Sequence, residues 1–297
     1  MTTATEELTD EQAAAALEAL VAEAEAPAKA VKKAPAKAKV APKPALFDLT
    51  SIEGVVIGAP RVMTSKFSLV IYGGKGVGKT SLLGDCANVP AWAPILILAT
   101  EDGSSVLSRK YKDNPLVRVV NLEDWTVAAP LIEAVANNET IYKTVAIDTL
   151  PELQEINKRY ITSDGQNEMR IQDWGTLADN TIQIVKMLHR SPHVNAIFTA
   201  HVEKVQDDAG KVLYSPYMLG KKSLQEAMKP IDIVAYLAVV QDKTTKESVR
   251  VLQVHPDGKF DASDRSGKLQ GQYVDPTMLE LYNDLMADEE TDAAGDE

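Results

Sequence analysis

The sequence predicts an α/β protein with a mostly parallel sheet, helices on both faces and an antiparallel pair of strands near the C-terminus. Three observations carry this expectation. Apolar strand-like runs alternate with helix-period segments through the middle of the chain, the pattern of parallel strands joined by crossover helices. A glycine-rich loop stands between the strong strand Ser68–Tyr72 and a helix-forming run. Two late apolar runs, IDIVAYLAVV (231–240) and SVRVLQVHP (248–256), suit an antiparallel pair that closes the sheet.

The elements follow in chain order. Gly54–Ile57 and Phe67–Tyr72 read as a short strand pair, followed by the loop and a helix over Thr80–Ala87. Then come strand Ile95–Ala99, a helix near Trp125–Ala136, strand Val145–Asp148 and helix Pro151–Ile161. The spacing of Ile182, Ile184, Val185 and Leu188 predicts a long helix over Leu177–Arg190. Strand Ala196–Ala200 comes next, then a hairpin turning around Asp208–Gly210.

This ordered core is expected to span 47–285, with tails at 1–46 and 286–297. Residues 1–27 are rich in Ala and Glu and suit a short helix across Thr9–Ala26. Residues 28–45 carry six lysines and no acid among Ala and Pro, a composition that cannot bury enough surface to fold. They read as a disordered solubilising linker or as a non-specific nucleic-acid arm. The acidic stretch that begins at Asn283 reads as a tail that is simply solvated, competes with DNA for basic groups, or docks on a partner.

The loop has the pattern G-x-x-x-x-G-K-[ST]: Gly73, Gly74, Lys75, Gly76, Val77, Gly78, Lys79, Thr80, with Ser81 next. Glycines let backbone N–H groups turn inward around phosphate oxygens, and the following helix start adds partial positive charge. Lys79 is the candidate for reaching the β- and γ-phosphates, and the Thr80 hydroxyl the candidate ligand for Mg²⁺. Three strand ends supply the remaining chemistry. Asp148 closes an apolar strand, where an acid can hold the Mg²⁺ water shell. Glu101 closes ILILATEDG, in the place some enzymes of this kind use for a water-polarising carboxylate at the end of the strand next to the loop's own strand; Asp102 is the neighbour that could be mistaken for it. Thr199 and His201 close NAIFTAHVEK, with His201 the candidate γ-phosphate contact.

Composition bounds the rest. The 297 residues suffice for one large α/β domain or two small ones, and 45% apolar residues with only 5% aromatics require an aliphatic core. One cysteine, Cys86, cannot form an intramolecular disulfide and fits a reducing cytoplasm. Four histidines show no metal-ligand cluster, and no signal pattern or membrane-length apolar run is present. A formal charge of −12 repels nucleic acid on average, so any DNA contact requires a local basic patch.

Taken in order, GVVIGAPRVMTSKFSLVIYGGKGVGKTSLL, ILILATEDGSS, TVAIDTLPEL, AIFTAH and GKKSLQEAMKPIDIVAYL resemble the RecA-like P-loop ATPases of phages, the Sak-type group of single-strand annealing and recombination proteins. The likeness covers about 50–255. It implies ATP and Mg²⁺ as cofactors, with Lys79, Glu101, Asp148 and His201 as the catalytic set. It implies single-stranded DNA as a ligand, rings or filaments of the chain, and work beside a single-strand-binding protein. In such folds DNA is held by loops after the Asp148-type and His201-type strands. Here those are Arg159–Trp174 and His201–Met218, with Arg159, Arg170, Lys204 and Lys211 as cations and Tyr160, Trp174, Tyr214 and Tyr217 as stacking rings. Lys221 and Lys222 lie where a neighbouring subunit's cation would complete the ATP site. The chain has no recognisable extra DNA-binding domain, which favours annealing or mediator work over strand exchange. The competing expectation is a nucleotide-gated binding module with negligible ATP turnover.

Overall fold

The computed structural model describes residues 66–287, apart from 102, 104, 207–209, 211 and 242–245. The expected strand at Gly54–Ile57, the Ala/Glu and Lys-rich segments, Asp102, Lys211 and the acidic residues from 288 onward lie outside the described residues.

The sheet forms because its central strands are apolar on both sides. β1 (Ser68–Gly73) is buried at all six positions. Side chains alternate across a strand, so Val70 and Tyr72 enter one hydrophobic core and Leu69 and Ile71 the other. The same division runs through β2 (Ile95–Ala99), β4 (Thr144–Asp148) and β5 (Asn195–Gln206). The first core packs against α3 (Trp125–Asn137), α4 (Leu150–Ile161), α5 (Ile171–Arg190) and α6 (Lys221–Met228). The second packs against α1 (Lys79–Asp85), α2 (Ser105–Tyr111) and α7 (Met278–Met286). Helices therefore cover both faces, as the alternating pattern predicts. Among the described residues no helix is long and apolar enough to cross a membrane.

The strands lie in the order β10-β8-β7-β1-β5-β4-β2-β3. Here β3 is Val117–Asn121, β7 Ile233–Gln241, β8 Ser248–Gln253 and β10 Gln272–Val274. From β7 to β3 all neighbours are parallel, while β8 runs antiparallel to β7 and β10 antiparallel to β8. β6 (Val212–Pro216) pairs antiparallel with β5 as the expected hairpin, and β9 (Ser263–Asp264) adds to β7.

Some bounds differ from the sequence expectation for identifiable reasons. α5 starts six residues early because Asp173 accepts the Arg170 backbone N–H at 2.9 Å and two guanidinium N–H bonds at 3.0 Å, capping the helix start. The strand of β5 runs six residues beyond Ala200 because the hairpin extends its pairing. The acidic stretch is not wholly a tail: α7 continues through Asn283–Met286, with Leu285 buried. Asp85 accepts the Met278 N–H at 2.8 Å and Asp284 accepts the Tyr273 hydroxyl at 2.6 Å, which fix that helix to the body.

The starts of the neighbouring strands β1 and β7 are tied together. Asp232 Oδ2 accepts both the backbone N–H and the hydroxyl of Ser68 at 2.8 Å, and His189 Nδ1 lies 2.8 Å from that hydroxyl. Burial opposes ionisation of Asp232, but the bonds from His189 and Ser68 outweigh it and hold the carboxyl below its usual range. A carboxyl depressed in the folded state stabilises above the unfolded value, about 3.9, and loses that contribution as pH falls through the folded value. Asp232→Asn is expected to cost about 1–3 kcal/mol in urea denaturation at pH 7. The gap from the parent should shrink as pH is lowered below about 4; a gap independent of pH would contradict the assignment.

Candidate functional site

β1 ends where the loop begins. Gly73 pairs across to His201 of β5 on one side and Leu237 of β7 on the other. A Cβ on Gly73 would stand 2.1 Å from the Leu237 carbonyl oxygen, so only glycine fits between these strands. The chain then reverses through Gly76 (φ +78) and Gly78 (φ +100), both left-handed, and α1 opens at Lys79. No side chain caps that helix start, leaving its first N–H groups to face the loop. Lys79 is buried and folds back over the loop, donating to the Gly73 and Gly74 carbonyls at 2.9 Å each. Burial pushes its ammonium below the ordinary lysine range, and the charges of Asp148 and Glu101 partly offset this.

The acids arrive from neighbouring strand ends. Asp148, buried at the end of β4, accepts the Thr80 hydroxyl through Oδ2 at 2.7 Å. Its Oδ1 accepts the hydroxyl of Thr199 from β5. Glu101 lies just beyond β2. It accepts the Thr149 hydroxyl at 3.1 Å, and the same oxygen lies 3.1 Å from His201 Nε2. Thr149 is itself fixed: its N–H donates to the Thr100 hydroxyl at 2.8 Å, and that hydroxyl donates to the Thr149 carbonyl at 3.0 Å. Glu101 and His201 remain about one third exposed, open to a ligand. Glu101, Asp148, Thr149 and His201 line a cleft of about 280 Å³ with Lys75, Gly76, Gly78, Lys79, Thr80 and Ser81 on its loop side.

All four expected catalytic residues thus meet in one cleft. One detail of the expectation is corrected: β2 is not the strand beside β1. β5 and β4 are inserted between them. Glu101 still reaches the site because parallel strands end on the same edge, and Thr149 and His201 project from the intervening strands toward it. Thr199, named only as a strand end, and Thr149 hold the two acids by hydrogen bonds and were not among the expected catalytic residues. The hydroxyl next to Asp148 in DTL was an available signal for Thr149, whereas Thr199 meets Asp148 only through the pairing of β4 with β5. Of the loop residues, Gly73 and Gly74 act through their carbonyls on Lys79, and Val77 packs against the second core.

A hard divalent cation carried with a phosphate chain fits this chemistry. Mg²⁺ takes oxygen ligands, keeps several waters and uses one or two carboxylates together with substrate phosphates. Thr80 Oγ1 and Asp148 Oδ2 offer two such oxygens side by side at the loop.

The other expected contacts lie elsewhere. Arg159, Arg170, Lys204, Lys221 and Lys222 do not line the cleft. Arg170 is committed to Asp173 at the start of α5, and Lys222 pairs with Asp179 of that helix at 2.7 Å, because α6 packs on α5. Arg159 shares a depression with Glu123, Asp124 and Asp164, an acidic setting. The Arg159–Trp174 segment is the end of α4, a turn and the start of α5 rather than an open loop. Tyr214 is not a free ring: it packs with Tyr236 and Phe260, with Lys259 above it. Tyr160, Trp174 and Tyr217 are exposed.

Several solved structures are similar to the chain. A KaiC-like protein from the hyperthermophilic archaeon Pyrococcus horikoshii is 15% identical, with 63% of this chain and 77% of that one covered at a TM-score of 0.39. The flagellar accessory protein FlaH from Methanocaldococcus jannaschii is 10% identical, covering 70% and 84%, at 0.39. An ATPase of the type III secretion system of pathogenic bacteria is 17% identical, covering 58% of this chain and 51% of that one, at 0.40. No curated protein matches the chain. A family model described as an AAA domain, AAA_24, matches residues 65–266 and so takes in the glycine loop, Glu101, Asp148 and His201. That span is well over half of the 297 residues, and the chain belongs to the AAA_24 family of AAA-domain proteins.

Proposed function

We propose that the protein is a Mg²⁺-dependent ATPase whose nucleotide cycle governs its hold on single-stranded DNA, in annealing or strand pairing of the phage recombination type. The observation that carries the enzymatic part is the position of Glu101. It is held by Thr149 and His201 across the cleft from Lys79 and Thr80, and no Lys or Arg pairs with it among the described residues.

The loop N–H groups and Lys79 bind the β- and γ-phosphates, for which Lys79 exchanges its carbonyl partners for phosphate oxygens. When bound, Mg²⁺ supplies neutralisation of charge on the β- and γ-oxygens. Asp148 holds the Thr80 hydroxyl in place. Glu101 orients a water and accepts its proton as the water oxygen bonds to the γ-phosphorus. The bond from that phosphorus to the bridging oxygen breaks, leaving ADP and phosphate. His201 shares an oxygen of Glu101 and lies on β5, so the state of the cleft is mechanically linked to the β5–β6 hairpin.

Exposed aromatics beyond the same strand edge support the DNA part. Trp174 and Tyr217 border a second cleft of about 640 Å³ between that hairpin and α4–α6, whose wall carries Lys221, Lys158 paired with Glu155, and the acids Glu203 and Asp261. Aromatic faces are one of the two features single strands require, and Lys221 is the cation beside them. Self-association into a ring or filament, and a single-strand-binding protein as partner, belong to the same proposal.

Multiple-turnover phosphate release, with and without single-stranded DNA, tests it. The parent should turn over ATP faster with DNA. Lys79→Ala should lose productive turnover. Glu101→Gln should keep nucleotide binding and lose about 10²–10⁴-fold in rate. Parent-like hydrolysis by Glu101→Gln would refute the base assignment. Nucleotide binding with negligible turnover in the parent would instead mark a nucleotide-gated binding module. Hydrolysis indifferent to DNA, with no binding of labelled single strands at low salt, would remove the DNA role.

A further inference from the structure

A cation from the far side of the sheet reaches the glycine loop. Arg250 lies on β8, opposite Val239 of β7. A Cβ on Gly78 would stand 3.5 Å from Arg250 Cδ and 3.6 Å from its Nη1, so the guanidinium lies against the turn that leads into Lys79. Its backbone is clamped by Asp275: the Arg250 N–H donates to Asp275 Oδ1 at 3.0 Å, and the Asp275 N–H donates to the Arg250 carbonyl at 2.7 Å. Asp275 adopts a left-handed φ of +47 to make this pair. Its carboxylate stays 3.7 Å from Arg250 Nε, beyond hydrogen-bond reach, and the side chain is about one third exposed. No hydrogen bond of the guanidinium is found among the described residues. The guanidinium therefore lies beside the loop, ion-paired to Asp275 and with its hydrogen-bond donors unspent.

The direction of the nucleotide follows from the sheet. Glu101, Asp148 and His201 all come from the β5-β4-β2 side of β1. The γ-phosphate belongs there, beside the proposed base. β7 and β8 flank the other side of β1. A phosphate chain running along the loop away from Glu101 brings its α-phosphate end toward β8. A guanidinium matches phosphate oxygens by two parallel N–H bonds, a geometry an ammonium cannot supply.

We propose that Arg250 is a nucleotide-contacting residue acting within its own subunit: its guanidinium binds the α-phosphate end of the nucleotide held by the glycine loop, and Asp275 positions it. This rests on the nucleotide reading given above and adds a contact outside the loop motif.

Calorimetric titration with ADP and with a non-hydrolysable ATP analogue, each with Mg²⁺, tests the proposal on the parent, Arg250→Ala and Arg250→Lys. Arg250→Ala is expected to weaken both ligands by the same factor, about tenfold or more, because the α-phosphate is common to both. Arg250→Lys should fall between Ala and the parent, keeping charge but not the fork. Unchanged ADP affinity in Arg250→Ala with a parent-like circular dichroism spectrum would overturn the contact. Loss confined to the ATP analogue would overturn its placement at the α end. Should Arg250→Ala fail to fold, ADP affinity in Arg250→Lys equal to the parent's would overturn the forked contact. A parent that binds neither ligand would instead refute the nucleotide reading itself.

Discussion

Asp148 carries a buried carboxylate at the end of β4, and burying such a group is costly unless its oxygens are hydrogen-bonded. Both oxygens are used, each by a threonine from a different element: Thr80 from α1 and Thr199 from β5. One side chain thereby joins three successive parts of the sheet edge: the P-loop helix that leaves β1, the end of β5 and the end of β4. Thr149 follows directly and carries the chain to Glu101, which touches His201 back on β5. The cleft is a closed circuit of short side chains around one acid. Any shift of β4 against β5 would open it at two hydroxyls.

The fold serves that circuit by fixing the register of its strands. β1, β2, β4 and the first half of β5 are apolar on both faces and sit between two cores covered by different helices. Burial on both faces leaves no register in which a strand can slip without driving polar atoms into a core. Gly73 tightens the same edge, since the Leu237 carbonyl occupies the space a side chain would need. The hairpin β5–β6 and the aromatic group of Tyr72, Tyr214, Tyr236 and Phe260 continue that edge outward; the Tyr72 hydroxyl donates to the Tyr214 carbonyl at 2.9 Å. His201 is joined directly to the exposed Tyr217 beyond the hairpin: the Tyr217 N–H donates to the His201 carbonyl at 2.7 Å.

What could be read from the sequence was local. The glycine loop is legible because its spacing encodes one turn, and Asp148, Glu101 and His201 are legible because each closes an apolar run. The lateral order of those runs is not encoded in them, which is why two strands separate β2 from β1 although β2 follows it in sequence. Edge and surface elements were also silent. β3 is mostly exposed and lacks a continuous apolar run, and α7 is hidden by the acidity of the residues that follow it. Arg250 lies in an ordinary strand pattern, and only the pairing of β8 with β7 and of β7 with β1 brings it to Gly78. Arg170 and Lys222 show the converse: isolated cations in a sequence look available, yet both have acidic partners within one helix of them.

The most direct test of Asp148 as the organising acid is the Mg²⁺ dependence of ADP binding, measured by calorimetry on the parent and on Asp148→Asn. Asparagine keeps the shape and one acceptor oxygen while removing the charge. Mg²⁺ should tighten ADP binding to the parent, and Asp148→Asn should lose at least about tenfold of that enhancement, which corresponds to about 1.4 kcal/mol. An equal Mg²⁺ enhancement in both proteins would contradict the central role given to this carboxylate.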